Sequence, residues 1–150
     1  MESQTLQNLP CWTILAVEDD PDDRILIEEA LEEAANGKVT VHFVGDGEAL
    51  LDALRSPQQR PDLVLLDLNL PRLDGRAALQ RIKGDPNLRS TPVVILSTSG
   101  ETTDVDFCYA QGANSFLTKP TSFEALVELF RSLSLYWFET VRRPSNDVSI

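Results

Sequence analysis

A chain of 150 residues, 42% hydrophobic and 25% charged, has the size and make-up of one globular domain that can bury a core without staples. Its net charge of −11, from 24 acids against 13 bases, argues against nucleic-acid or anionic-membrane binding, so no partner of either kind is expected. Two cysteines, Cys11 and Cys108, and one histidine, His42, cannot assemble a zinc site and suit a reducing cytoplasm.

Residues 1–11 are polar around Pro10 and read as a flexible N-terminal tail. Glu2 and the absence of a basic or apolar leader give no signal peptide, and no apolar run approaches the roughly 20 residues a membrane helix needs. The expected location is the cytoplasm. "TILAVE" (13–18) is a short strand that stops in acids. In 21–37, Pro21 suits a first helical turn, Asp22 and Asp23 suit the positive end of its dipole, and Gly37 suits the stop. "VTVHFV" (39–44) alternates as a strand, and 46–56 is a short helix. "PDLVLLD" is the third strand, "PRLDG" a turn, and 76–84 a helix. "TPVVILSTS" (91–99) is a fourth buried strand, entered by Pro92 at its edge. A helix over 101–113 closes near Gly112. "NSFLTKP" (114–120) is a fifth short strand, and 121–141 is an extended C-terminal helix. The polar remainder, 142–150, reads as a disordered tail, leaving 12–141 as the folded body.

Strand and helix thus alternate five times. Strands one, three and four are apolar runs, as expected when helices cover both faces. The architecture implied is α/β: a doubly wound (βα)5 domain with a five-stranded parallel sheet. In such sheets, sites form outside the carboxyl ends of the strands. Glu18, Asp19 and Asp20 end the first strand, Asp67 the third, Ser97 and Thr98 the fourth, and Lys119 and Pro120 the fifth. Clustered carboxylates repel unless a cation enters. Glu18, Asp19 and Asp67 against Lys119 leave a deficit that one divalent ion cancels, and an open all-oxygen site favours Mg2+ over a Ca2+ cage. A carboxylate can also act as a nucleophile toward phosphorus, with the transferred oxygens held by the metal, Lys119 and the Ser97 hydroxyl.

The set "VEDD", "LVLLDLNLPRLDG", "PVVILSTS" and "FLTKP", in this order and spacing, resembles the receiver domain of two-component response regulators, a flavodoxin-like or CheY-like fold. The resemblance covers about residues 12–135. It implies that Asp67 is the phosphoacceptor. Asp19 would bind Mg2+ directly, Glu18 would act largely through water, and the backbone carbonyl of Asn69 would be a further ligand. Ser97 would be the switch hydroxyl, Phe116 the coupled aromatic, and Lys119 the partner of a phosphoryl oxygen, with a cis Lys119–Pro120 bond. Thr98 stands where the family has a small residue, and Asn69 and Ser99 where it tunes dephosphorylation. Phe116 lacks the hydroxyl of the family's common tyrosine, which removes a hydrogen-bonded output but not a rotamer switch. Asp20 receives no ligand role.

"VEDDPDD" with the ending "LYWFETVRRP" is similar to the single-domain regulators paired with cyanobacterial phytochrome histidine kinases. The reading is a stand-alone response regulator that takes a phosphoryl group from a histidine kinase. It catalyses only its own phosphorylation and dephosphorylation. In the last helix, Phe123, Leu126, Val127, Phe130 and Leu133 or Trp137 form a core stripe. Leu129, Leu135, Tyr136, Trp137, Phe138 and Val141 lie off it. A helix apolar on several sides needs a second partner. The choice is between an extension folded back on its own domain and a homodimer face of helix four, strand five and helix five, and the reading takes the homodimer. Three other functions compete, of which a flavodoxin-like flavin carrier would need a hydroxyl-rich phosphate loop after the first strand, which this sequence lacks. A pseudo-receiver would only bind partners, but the intact acidic pair, Asp67 and Lys119 argue against it. A haloacid-dehalogenase-type phosphatase would need Asp-x-Asp after its first strand, whereas position 69 is Asn after the third.

Overall fold

The structure, a computed structural model, describes residues 12–56, 60–70 and 72–144. The tail expected over 1–11, and the part of the expected C-terminal tail beyond 144, lie outside the described residues. The elements alternate as β1 (Trp12–Val17), α1 (Pro21–Ala35), β2 (Val39–Val44), α2 (Gly47–Arg55), β3 (Leu63–Leu66), α3 (Gly75–Gly84), β4 (Val93–Ser97), α4 (Thr102–Ala110), β5 (Ser115–Thr118) and α5 (Phe123–Ser134). A π-helical segment, Leu135–Thr140, continues α5.

The five strands form one parallel sheet in the order β2-β1-β3-β4-β5. All four pairings are parallel, with Ile14 opposite Leu63, Val64 opposite Val93 and Val94 opposite Ser115. Because side chains alternate across each strand, the sheet feeds two cores. Ile14, Ala16, Leu63, Leu65, Val94 and Leu96 pack with α1 and α5 around the fully buried Phe130. Leu15, Val17, Val64, Leu66, Val93 and Ile95 pack with α2, α3 and α4. β3 and β4 are buried along their whole length, which is why they read as runs, whereas the edge strand β2 alternates. The doubly wound (βα)5 sheet expected from the sequence is the observed fold.

Local chemistry sets the helix ends. Asp20, Asp46 and Ser122 cap α1, α2 and α5 by accepting from the amides of Asp22, Ala49 and Ala125. α1 stops one residue before the expected glycine, at Asn36 in the left-handed region, where φ is 53°; Gly37 follows at 76°. Gly75 opens α3 where a side chain would strike the backbone oxygen of Asp67, so glycine lets α3 start this close to the end of β3.

Two expectations are corrected. The Lys119–Pro120 peptide is trans, and no cis bond occurs among the described residues; trans is the isomer that X–Pro bonds favour by about 0.5–1 kcal/mol. Phe138, placed on a partner surface by α-helical phase, is 6% exposed and stacks on Trp12 with ring centroids 5.5 Å apart. The cause is the π segment, whose longer turn advances the inward position from 137 to 138. Arg143, within the stretch read as a disordered tail, lies over the Trp12 ring at 3.8 Å.

Candidate functional site

The carboxyl ends of β1, β3, β4 and β5 meet on one rim. Asp67 follows Leu66 directly, so its side chain leaves a fully buried strand half-covered. Its Oδ1 accepts from the amide of Asn69 at 3.0 Å. Burial is the main cause holding the Asp67 carboxyl above its ordinary 3.8. The Asn69 amide and Lys119 oppose that rise, and Asp19 adds to it. Glu18, at 7% exposure, is likewise raised above 4.5, first by burial and further by Asp23 and Asp67. Asp19 is exposed beside it. Glu18, Asp67 and Lys119 share a small cavity of about 10 Å3 floored by Ala16, Leu65 and Leu96.

Lys119 is held by backbone and charge. Its amide donates to the Ser97 carbonyl at 2.8 Å, which ties β5 to β4. Its ammonium lies 3.8 Å from Glu18 and 3.8 Å from Asp23. Asp23 was read from the sequence only as an acid at a helix start. The signal that could have found it is its position in the first turn of α1, directly after the β1 rim. Arg24, one residue on, donates from Nε to the Glu18 carbonyl at 2.7 Å and so fixes the β1–α1 corner. Asp20 caps α1, its Oδ1 accepting from the Asp22 amide at 2.9 Å.

Ser97 is fully buried, and its Oγ accepts from the Ser99 amide at 3.2 Å. Thr98 and Asn69 are exposed, and Phe116 is partly buried against the α3/α4 core. Of the four residues expected on a partner surface, Tyr136 is exposed, Leu129 and Trp137 pack partly against the α1/α5 core, and Phe138 is inside it.

Among the described residues, no three acidic, histidine or cysteine side chains close into a metal cage. The donors present are all oxygen, lie on an open rim and carry unbalanced negative charge. That set fits a hard cation that keeps several of its waters, and it does not fit a closed Ca2+ site. The candidate ligands are the carboxylates of Glu18, Asp19 and Asp67 with the Asn69 carbonyl. A larger hollow of about 610 Å3 lies between α1 and β2, but it is lined by Glu28, Glu29, Glu32 and Glu33 and holds no phosphoryl-binding group.

Comparison with known proteins gives one answer throughout. The sequence profile of the response regulator receiver domain matches residues 14–131. The response regulator Rcp1 of Synechocystis sp. is 36% identical over 141 residues, covering 91% of this chain and 95% of that protein. Its Mn2+-bound crystal structure superimposes with a TM-score of 0.78 at 37% identity, over 89% of this chain and 99% of that one. The phosphorylated cyanobacterial phytochrome response regulator RcpA gives 0.81 at 38% identity, over 90% and 99%. Response regulator RPA3017, in red light signalling of R. palustris, gives 0.82 at 34%, over 89% and 99%.

Proposed function

The chain belongs to the response regulator receiver domain family, and from that premise we propose that it takes a phosphoryl group from a histidine kinase onto Asp67 with Mg2+. The observation that carries the proposal is the half-buried Asp67 carboxylate, set between Glu18 and Lys119 at the mouth of one small cavity. A carboxylate oxygen of Asp67 attacks the phosphorus of a phosphohistidine. The P–N bond breaks, an O–P bond forms, and the imidazole leaves. Later attack by water on phosphorus restores the carboxylate and releases phosphate. Bound Mg2+ supplies neutralisation of the phosphoryl oxygens. Lys119, held at the rim by the Ser97 carbonyl, turns its ammonium from Glu18 and Asp23 to a phosphoryl oxygen. Ser97, its hydroxyl now occupied by the Ser99 amide, turns to another. The Mn2+ in Rcp1 and the phosphorylation of RcpA support both parts of this reading.

The partner kinase is proposed to be a phytochrome, because the similar RcpA is a cyanobacterial phytochrome response regulator and RPA3017 acts in red light signalling. The output is proposed to be a homodimer face on α4, β5 and α5. Tyr136, on the π segment that continues α5, and Tyr109 on α4 are its exposed aromatic contributors, with Phe138 removed to the core and Leu135 lining a hollow at the end of α1 instead. No helix among the described residues is long and apolar enough to cross a membrane, which is compatible with the cytoplasmic site of action proposed.

Intact-mass measurement after incubation with acetyl phosphate tests the reading. Wild type with Mg2+ is expected to gain one phosphoryl group, and Asp67→Asn or Mg2+ removal is expected to abolish the gain. No adduct on wild type under an acyl-phosphate-preserving quench would sink the reading in favour of a phosphorylation-independent interaction module.

A further inference from the structure

The two arms of the rim are joined by a path of polar contacts that runs outside it. The Ser99 amide donates to Ser97 Oγ at 3.2 Å, and the Ser99 hydroxyl donates to Asp104 Oδ2 at 3.1 Å. The other oxygen of Asp104 accepts from Arg76 Nη2 at 2.7 Å and Nε at 3.2 Å. Arg76 stands next to Gly75, whose amide donates to the Leu68 carbonyl at 3.0 Å, one residue beyond Asp67. The path therefore starts at the buried hydroxyl on β4, crosses α4 and α3, and returns to the β3 loop that holds Asp67.

The Arg76–Asp104 link is the strong member. A guanidinium fork on one carboxylate oxygen is a charge-assisted contact, and both side chains are more than half covered. The hydrogen bond from Arg76 draws the Asp104 carboxyl below its ordinary range. Asp74, 3.5 Å from Arg76 Nη1, is the other acid on the guanidinium. The Asp104 carboxylate thus accepts from Arg76 on one oxygen and from Ser99 on the other.

We propose that Asp104 and Arg76 form a brace that holds Ser97 and the 97–101 loop in the unphosphorylated arrangement, and so set how readily the receiver switches. The inference rests on the phosphoryl reading above and names a control on it. Ser97 Oγ faces no water, so its hydroxyl can reach a phosphoryl oxygen only if the Ser99 amide lets go or follows it. Ser99 is tethered to Asp104, and Asp104 is clamped to α3. Switching must therefore stretch or break the brace. Asp104 and Arg76 are positioning residues, since neither touches the reacting atoms. Anything that binds only the switched state pays for the braced state's population, so loosening the brace tightens its binding.

Fluoroberyllate with Mg2+, a phosphoryl mimic, reads this directly. Asp104→Asn and Arg76→Gln are each expected to lower its apparent Kd roughly 5-fold, near the low end of typical coupling between sites. The double variant is expected to add little, because both changes cut one link. Arg76→Lys, which keeps charge and loses the fork, is expected to fall between. In the metal-free, ligand-free protein, amide exchange at Ser99 and Glu101 is expected to accelerate in both single variants. A purely structural role would lower the melting temperature without tightening the mimic. Unchanged or weaker mimic binding in both folded variants, or unchanged amide protection, overturns the brace. Wild type that fails to bind the mimic overturns the phosphoryl reading itself, and the brace with it. Wild-type binding that is lost in Asp67→Asn keeps that reading and leaves only the brace at stake.

Discussion

The two ends of the sheet are built on opposite principles. At the carboxyl end, Glu18 and Asp67 are partly desolvated, both are pushed toward their neutral forms, and Lys119 is shared between Glu18 and Asp23. At the amino end, Trp12 stacks flat on Phe138 and Arg143 lies over both rings at 3.8 and 5.7 Å. Asp62 accepts from the Thr13 amide at 2.8 Å and lies 3.8 Å from Arg143. One end is short of positive charge; the other buries apolar rings with the nearby charges paired. The difference teaches where stability and function are separated. The rim gathers carboxylates whose repulsion a bound divalent cation would relieve, and the aromatic clasp adds packing at the far end without touching them.

The separation can be broken most forcefully at the clasp. Phe138→Ala is expected to cost about 3–5 kcal/mol, the range for deleting a buried phenyl ring, read by urea denaturation. Phosphoryl uptake from acetyl phosphate by the fraction that remains folded is expected to stay at the wild-type rate. A small stability loss, or a rate that falls with it, would show that the two ends are not independent.

The same contrast explains what the sequence made legible. The rim was readable where its residues follow a buried run, Val17 then Glu18, Leu66 then Asp67 and Leu96 then Ser97, whereas Lys119 follows the less buried β5 and was marked by the Lys-Pro pair at its end. A polar residue at the end of a run has one place to go in a parallel sheet. The clasp was not readable, because a 3.6-residue period carried through 135–141 points Trp137 inward and Phe138 outward. The π segment brings Phe138 inside and leaves Trp137 partly buried beside it, and no residue in "LYWFET" announces a five-residue step. Asp23 was missed for a related reason. Its partner, Lys119, is 96 positions away, and only the winding of the chain brings α1's first turn beside β5. The Arg76–Asp104 brace joins two helices whose sequences show no spacing relation.

A gentler test sharpens the comparison from the rim side. A divalent cation held by the native rim and not by the unfolded chain stabilises by mass action, about 1.4 kcal/mol at ten times its Kd. Thermal melts with Mg2+ against EDTA are expected to show that gain in wild type and in Phe138→Ala alike, and to lose most of it in Asp67→Asn. Equal gains in Asp67→Asn would place the cation elsewhere.

The smallest effect is in pH, and its sign separates the rim from the brace. In metal-free protein, Glu18 and Asp67 have folded pKa values raised above 4.5 and 3.8, chiefly by burial. A raised carboxyl favours the folded state fully below its unfolded value, and that contribution is lost as pH rises through the folded value. Asp104 is opposite: with its carboxyl lowered by Arg76, its contribution is present above its unfolded value and lost only as pH falls through the folded one. From the unfolded values upward until pH passes the raised folded values of Glu18 and Asp67, then, the rim contributes a decline, while Asp104 contributes a constant. Melting temperature in EDTA is expected to drop as pH rises through this window, and Asp67→Asn to remove part of the drop, while Asp104→Asn leaves its slope alone. General repulsion in a chain of net charge −11 pushes the same way, so the measured quantity is the difference in slope between variant and wild type. If Asp67→Asn keeps the full slope, the repulsion is spread over the surface and the rim is not where this fold holds its unfavourable charge.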